Sequence, residues 1–358
     1  MIRQIRPSAA IKKEVTQYCG IQQKNSYLCG MTLRIGIVGV GHLGYIHLKI
    51  WQQLPDVSVV GFYDPDNQAA LRAQTELNAT RFPHIDDLLQ AVDAIDIVCS
   101  TAAHAQHALR AIAAQKHIFI EKPLAGNLAD AQLVVDALRQ TRLKGQVGHV
   151  ERFNPAFKAI QHLTTNPRFI ESHRLAPFNL RGTDVSVVHD LMIHDLDIIA
   201  GLVQSPVKQV AANGVAIVST SPDIANARIE FENGCVANIT ASRLSLKYMR
   251  KTRIFQPDAY ISIDFLAKKA DIARLMPTLP PDAPNALSIV LPKQPDTTQY
   301  IVFEQPEAPE NNAIAEELTL FVQAILNDQP EAVPLEYGLR AMQLADSVMN
   351  CIDKQQGH

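Results

Sequence analysis

From residue 33 onward the chain alternates between two hydrophobic rhythms. Leu33–Val38, Val57–Tyr63, Ile95–Cys99, His117–Ile120 and Gln146–Val150 are short, largely apolar runs, the pattern of buried strands. Between them, residues 43–51 place Leu43, Ile46, Ile50 and Trp51 on one helical stripe. Residues 68–77, 86–92, 102–114 and 128–141 are also helical in composition. Asp86 and Asp87 lead their segment, where the positive end of a helix favours acids. Strict strand–helix alternation predicts an α/β fold with a doubly wound parallel sheet, whose ligands lie beyond the carboxyl ends of its strands.

After residue 150 the rhythm changes. Val207–Ile217, Ala225–Phe231, Cys235–Ala241, Arg253–Phe255, Tyr260–Phe265 and Ser288–Leu291 are strand-like, and Glu232-Asn-Gly234 marks a hairpin between two of them. This texture predicts a largely antiparallel sheet, one face of which needs a cover. Asn312–Leu326 and Leu335–Ile352 read as closing helices, and the proline-rich stretch 277–295 as a surface excursion around one short strand. The expected organisation is an extension over residues 1–30, a doubly wound domain over 31–150 and an α+β domain over 151–358.

Composition narrows the class. With 47% hydrophobic residues, 19% charged and a net charge of −3, the chain reads as an ordinary soluble globular protein. Nothing in it suggests nucleic acid or an acidic membrane as partner, and no apolar run approaches a membrane span. Cys19, Cys29, Cys99, Cys235 and Cys351 are scattered and odd in number, which points to reduced thiols in the cytoplasm. In the first thirty residues Arg3, Arg6, Lys12, Lys13 and Lys24 face one acid, Glu14, with no continuous apolar segment, which excludes a secretory signal. A basic organelle-targeting peptide is one reading of that stretch. An extension upstream of Met31, peripheral to function, is the preferred one.

Candidate chemistry begins where the first strand ends. Gly39, Gly41 and Gly44 are spaced G-x-G-x-x-G between a strand and a helix. The first allows a tight turn, the second close approach of backbone to a pyrophosphate, and the third close packing of helix on strand. The helix that starts at His42 and Leu43 offers free N–H donors to the phosphates. Asp64 ends the second strand about 20 residues past Gly44, where an acid accepts ribose hydroxyls and repels a 2′-phosphate. NAD is thus expected as cofactor ahead of NADP. The competing reading of Asp64-Pro-Asp66 is plain turn chemistry.

A second constellation lies in Arg181-Gly-Thr-Asp-Val-Ser-Val-Val-His-Asp-Leu-Met-Ile-His-Asp-Leu-Asp197. If residues 189–200 are helical, Asp190 and His194 share a face at i and i+4, and a carboxylate there would orient an imidazole as proton acceptor. Asp197 is placed to serve the same histidine. Two other readings compete: a surface ion pair, and a metal site built from His189, Asp190 and His194. No further ligand cluster supports the metal, so none is expected.

With these residues assembled, the chain resembles the Gfo/Idh/MocA family of NAD(P)-dependent oxidoreductases from about residue 32 onward. The resemblance rests on the glycine turn 39–44, on Glu121-Lys122-Pro123, and on Asp190-x-x-x-His194 followed by Asp197. It implies an N-terminal Rossmann domain and a C-terminal domain whose open sheet serves in homo-oligomerisation, as a dimer or tetramer. It also implies Lys122 beside nicotinamide and substrate, Glu121 on the cofactor side, and Asp190 and His194 completing the site. The family's T-P-x-x-x-H appears here as Cys99-Ser-Thr-Ala-Ala-His104, without the proline, so Ser100, Thr101 and His104 carry over only as a cofactor-side loop.

Gly148-His-Val-Glu-Arg-Phe-Asn-Pro-Ala156, Glu171-Ser-His-Arg-Leu-Ala-Pro-Phe178, Arg181-Gly-Thr-Asp184 and Arg253–Ser262 are similar to the branch of the family that oxidises UDP-N-acetylglucosamine at C3 for lipid A biosynthesis. That likeness implies Arg152, Asn154, Arg174, Arg181 and Asp184 as substrate contacts. Guanidinium groups suit a diphosphate because they bind it as a fork. For Arg243 a structural salt bridge is the better reading. Alternatives are dehydrogenation of a free polyol or aldose such as inositol, a sugar–sugar oxidoreductase with retained cofactor, and a non-catalytic NAD sensor. A sensor has no need of a proton acceptor.

Overall fold

The computed structural model describes residues 32–179, 185–281, 287–291, 294–308 and 310–356, so expectations for residues 1–30, Arg181 and Asp184 lie outside the described residues. Five strands, β1 (Leu33–Val38), β2 (Val57–Tyr63), β3 (Ala94–Ile97), β4 (His117–Glu121) and β5 (Gly145–Gly148), form a parallel sheet in the order β2-β1-β3-β4-β5. The crossovers are α1 (His42–Trp51), α2 (Asn67–Leu77), α3 (Ile85–Ala91), α4 (Thr101–Ala113) and α5 (Leu128–Arg139). Ile35, Ile37, Ile95, Ile97, Ile118 and Ile120 are fully buried, as the central strands of a sheet covered on both faces require. Because strand order reverses between β1 and β3, the crevice for a ligand opens at their carboxyl ends.

Among the described residues the second sheet has nine strands: β6 (Phe169–Leu175), β7 (Val207–Val215), β8 (Ile224–Phe231), β9 (Val236–Ser242), β10 (Met249–Gln256), β11 (Ala259–Asp264), β12 (Lys269–Met276), β13 (Leu287–Leu291) and β14 (Gln294–Glu304). Their order is β13-β14-β12-β11-β10-β6-β9-β8-β7, antiparallel throughout except for the parallel pair β6 and β9. Strand β8 alternates buried Ala225, Ala227 and Ile229 with exposed Asn226 and Arg228, the half-covered pattern expected. Two helices, α6 (Pro155–Gln161) and α7 (Ile193–Val203), lie on the apolar face with Ile160, Leu196 and Ile199 in its core.

The remaining helices tie the two sheets together. Leu318 and Phe321 of α8 (Ala313–Leu326) pack with Leu48, Trp51 and Phe119 of the parallel layer. Along α9 (Leu335–Gln356), Leu335, Leu339 and Met342 join the core of the first sheet, and Leu344, Val348 and Ile352 that of the second. The described residues from Leu33 onward form one compact unit. No helix among the described residues is long and apolar enough to cross a membrane.

Candidate active site

The glycine turn is built as its spacing requires. Gly39 has φ +92°, and a Cβ there would fall 2.6 Å from the Cα of Cys99, at the end of β3. At Gly44 a Cβ would lie 2.0 Å from the carbonyl oxygen of Gly39. The chain's own packing therefore demands both glycines. Gly41 is different: a Cβ there would meet nothing within 4 Å. That open space flanks the start of α1, whose N-cap Gly41 offers no side-chain acceptor. The first-turn N–H groups at His42, Leu43 and Gly44 have no intrahelical acceptor, so the backbone suits an anion at this spot. These residues fit the pyrophosphate of a dinucleotide.

Asp64 is 7% exposed. One carboxylate oxygen accepts the Val40 N–H at 2.7 Å and the other the Asp66 N–H at 2.8 Å. The side chain thus pins the glycine turn to the end of β2, and each oxygen retains a lone pair for a ribose hydroxyl. Ser100 is exposed and Thr101 partly so at the start of α4, on the same carboxyl edge. His104 departs from the expected cofactor-side role. It is buried, with ring nitrogens 2.9 Å from the Pro123 carbonyl oxygen and 3.1 Å from that of Cys99. It clamps the loop after β3 to the end of β4, and burial pushes its pKa down.

Strand β4 delivers Lys122 to the same edge. Its Nζ donates to the backbone carbonyl of Asp190 at 2.9 Å and to Asp190 Oδ1 at 3.3 Å. Lys122, Asp190 and His194 therefore meet, but not in the expected pairing. Val188–Met192 is a π-helical turn, and α7 begins only at Ile193. The wider turn changes the angular relation of positions four apart, and Asp190 engages Lys122 instead of His194. The Nδ1 of His194 is buried with no hydrogen-bond partner among the described residues. Burial, followed by the charges of Lys122 and Arg174, pushes the His194 pKa well below 6.5. Near neutral pH it is a free base beside a held ammonium group.

Asp197 does not serve His194 either. It receives Arg152, Nε to Oδ2 at 2.6 Å and Nη2 to Oδ1 at 2.8 Å. His189 has its ring nitrogens 3.0 Å from Ser186 Oγ and 2.9 Å from Asp346 Oδ1, away from any shared metal geometry. Among the described residues no group of three or more His, Cys, Asp or Glu is placed to hold a metal ion.

The proposed substrate arginines need correction. Arg152 is bound to Asp197 and stacks 4.6 Å from the Tyr337 ring centre. Arg174 is 2% exposed, with Asp195 at 2.7 Å and Glu151 at 2.8 Å. Both guanidinium forks are already matched by carboxylates, which a buried cation requires. Asn154 caps α6 by accepting the Ala156 N–H at 3.1 Å and donates to the Phe265 carbonyl at 3.0 Å. It is structural. Arg243 donates to the Val185 carbonyl at 2.7 Å, in keeping with the structural role expected for it. Sequence reasoning missed Arg250, in register with Arg174 on β10, whose partly exposed side chain spends one nitrogen on Glu151 at 3.2 Å.

A charged layer also lies behind Lys122. Glu121, placed on the cofactor side by resemblance, is instead buried, with one oxygen 3.3 Å from His47 Nε2 and the other accepting the Lys122 N–H at 3.1 Å. His47 Nδ1 lies 2.9 Å from Asp96, which also accepts Trp51 Nε1–H at 2.7 Å. Burial opposes the charge on His47, but Asp96 and Glu121 outweigh it and raise its pKa to about 10. Asp96 inside an apolar strand was the available signal, and only its partner gives it meaning.

Comparison with known proteins identifies the family and agrees with the fold. The family model for the GFO/IDH/MocA oxidoreductases, NAD-binding Rossmann fold, matches residues 33–149, and the model of the GFO/IDH/MocA C-terminal domain matches residues 139–261. UDP-N-acetylglucosamine 3-dehydrogenase of Acidithiobacillus ferrooxidans is 37% identical over 235 residues, 65% of this chain and 74% of the relative. A crystal structure of that dehydrogenase, GnnA, superposes with a TM-score of 0.80 at 31% identity, covering 90% of this chain and 98% of that one. Scyllo-inositol dehydrogenase of Lactobacillus casei, solved with NAD(H) and scyllo-inositol, has a TM-score of 0.72 at 22% identity over 90% of this chain and 98% of that one, a likeness of fold.

Proposed function

The chain belongs to the GFO/IDH/MocA family of oxidoreductases, and from that premise we propose that it oxidises the 3-hydroxyl of a UDP-N-acetyl-hexosamine to the 3-keto sugar nucleotide with NAD. One observation carries the catalytic part: neutral His194 beside Lys122, which Asp190 holds at the carboxyl edge of the parallel sheet. The glycine turn and Asp64 hold the dinucleotide, and the nicotinamide, when bound, supplies the hydride acceptor. His194 takes the hydroxyl proton. The Lys122 ammonium donates to the oxygen as charge develops on it, a stabilisation that acts most in the transition state.

The sugar nucleotide rests on the likeness to the A. ferrooxidans enzyme, together with Arg250 as a partly exposed cation near His194. Because Arg152 and Arg174 are spent on carboxylates, the free-polyol reading keeps a definite observation in its favour. A panel of UDP-sugars, free hexoses and inositols with NAD, followed by mass analysis of products, decides between them. A UDP-N-acetyl-hexosamine converted to a product two mass units lighter is expected. Turnover of inositol alone would overturn the substrate assignment. The same reading places the protein in the cytoplasm and has it self-associate through the second sheet.

A further inference from the structure

The run Gly148-His149 belongs to none of the roles above. Strands β4 and β5 pair in register at Glu121 and Gly148, so Lys122 and His149 each stand one residue beyond a strand end, side by side on the reacting edge. His149 is 2% exposed, and neither ring nitrogen has a hydrogen-bond partner among the described residues. Leaving such groups unpaired in the interior is costly, so a doubly unpaired imidazole calls for a functional account. Its Nδ1 lies 3.8 Å from Asp197 Oδ2. Asp197 stands three positions after His194 on α7, so one helix brings both the proton acceptor and this carboxylate toward His149.

Beyond Asp197 lies a cavity of about 550 Å³ lined by Arg152, Asp197, Gln204, Ser205, Tyr337 and Arg340. Oxidation of the alcohol breaks the C–H bond with its electron pair, which leaves as hydride, breaks O–H, forms C=O and frees one proton. That proton sits on His194, whose Nδ1 is buried.

We infer that His149 is a proton-transfer residue of this site, receiving the proton from His194 and passing it to water in the cavity beside Asp197 and Arg152. The groups facing it are Asp197 on α7, Arg152 after β5, and Glu121 and Lys122 at the end of β4. Burial keeps its pKa low, so it holds a proton only in passage, and Asp197 stabilises that charged form. The inference rests on dehydrogenase chemistry at His194 but not on the identity of the sugar.

His149→Phe and His149→Gln test it, with whichever alcohol of the panel the wild-type enzyme oxidises. NAD affinity and Tm should remain near wild type. At low buffer kcat should fall about 10²-fold after a burst of one NADH per site, and added imidazole should restore it. Wild-type kcat without buffer dependence overturns the relay. So does a loss with neither burst nor imidazole rescue, since that is what a packing defect produces. Ring ¹⁵N titration without substrate provides a second readout. The His194 pKa should move up in His149→Phe, because at the acid pH where His194 titrates, a protonated His149 no longer opposes it. An unmoved His194 separates the two rings and overturns the relay even if no alcohol in the panel is oxidised.

Discussion

His194 is the side chain on which turnover should depend most, because a neutral imidazole beside a held ammonium can accept a proton. His194→Ala should lower kcat by about 10²–10⁴ while NAD still binds, as steady-state kinetics and calorimetry would read. Its depressed pKa places the acid limb of the rate profile below pH 6.5, where protonation removes the base. A limb at or above that pH would contradict the burial of this ring. Asp64 needs two variants, since it both selects the ribose and holds the Val40 N–H. Asp64→Ala should lower the NAD-over-NADP ratio of kcat/KM by about tenfold, near 1.4 kcal/mol, and also lower Tm. Asp64→Asn, which keeps an acceptor for Val40, should relax the ratio with a smaller loss of Tm. The identities of Lys122, Asp190 and His194 were legible in the sequence because their residue types and spacing are informative. Their pairing was not, since it turns on a π-helical turn that nothing in Val188–Met192 announces. Arg152 and Arg174 misled for a related reason. Spacing along a chain says nothing about the acids, Asp197 and Asp195, that come to face them.

At the scale of elements, the elements 33–148 were readable because each buries a continuous apolar run or stripe, and their limits fall within two residues of those expected. Strands β6, β12 and β14 were not: β6 turns Ser172 and Arg174 inward beside Ile170, β12 sets Ala270 and Ile272 beside charged residues, and β14 begins with a polar run. The contacts between elements hold the less visible chemistry. His47 of α1 is charged between Asp96 of β3 and Glu121 of β4, while Glu317 of α8 is fully buried with both carboxyl oxygens unpartnered among the described residues. Burial, then the nearby Glu121, pushes the Glu317 pKa well above 4.5. A folded-state pKa above the unfolded one contributes stability that is complete below the unfolded value and lost as pH rises toward the folded one. For His47 that window runs from about 6.5 to about 10, and for Glu317 it opens at 4.5 and extends upward. Because the histidines that burial holds below 6.5 add stability as pH rises through that region, thermal denaturation should show Tm declining from pH 7 to 9. Glu317→Gln should raise Tm at pH 8 and flatten the slope, because it no longer has to hold a proton. A Tm that falls in Glu317→Gln at pH 8 would mean the carboxylate is ionised and bound.

The whole molecule leaves one face of the second sheet open, and its register lines up what that face presents. Cross-strand pairs join Phe303 to Ala273, Ala273 to Tyr260, Tyr260 to Phe255, Phe255 to Phe169 and Phe169 to Val236, an apolar row across six strands. Their inward neighbours Val302, Ile272, Ile261, Ile254, Ile170 and Ala237 are buried, so the row points outward. Phe303 is 54% exposed and Phe255 is 39% exposed. Beside the row, Arg253 meets Glu171 at 2.7 Å and Arg228 meets Glu230 at 3.1 Å, so charges near it are already balanced within the chain. A contiguous apolar strip rimmed by satisfied polar groups is the anatomy of an interface. A second copy is the occupant that the open-sheet resemblance leads one to expect, and a shared two-fold axis would lay the strip against itself. Sedimentation velocity of the wild-type chain at micromolar concentration should give a dimer or tetramer. Phe255→Asp and Phe303→Asp should shift it toward monomer, since each places an unpaired charge in the strip. Because α7, which carries His194, packs on the buried face of the sheet and not on the strip, NAD affinity should persist in the dissociated variants. A monomeric wild-type protein would leave the strip to some other partner and remove self-association from the reading.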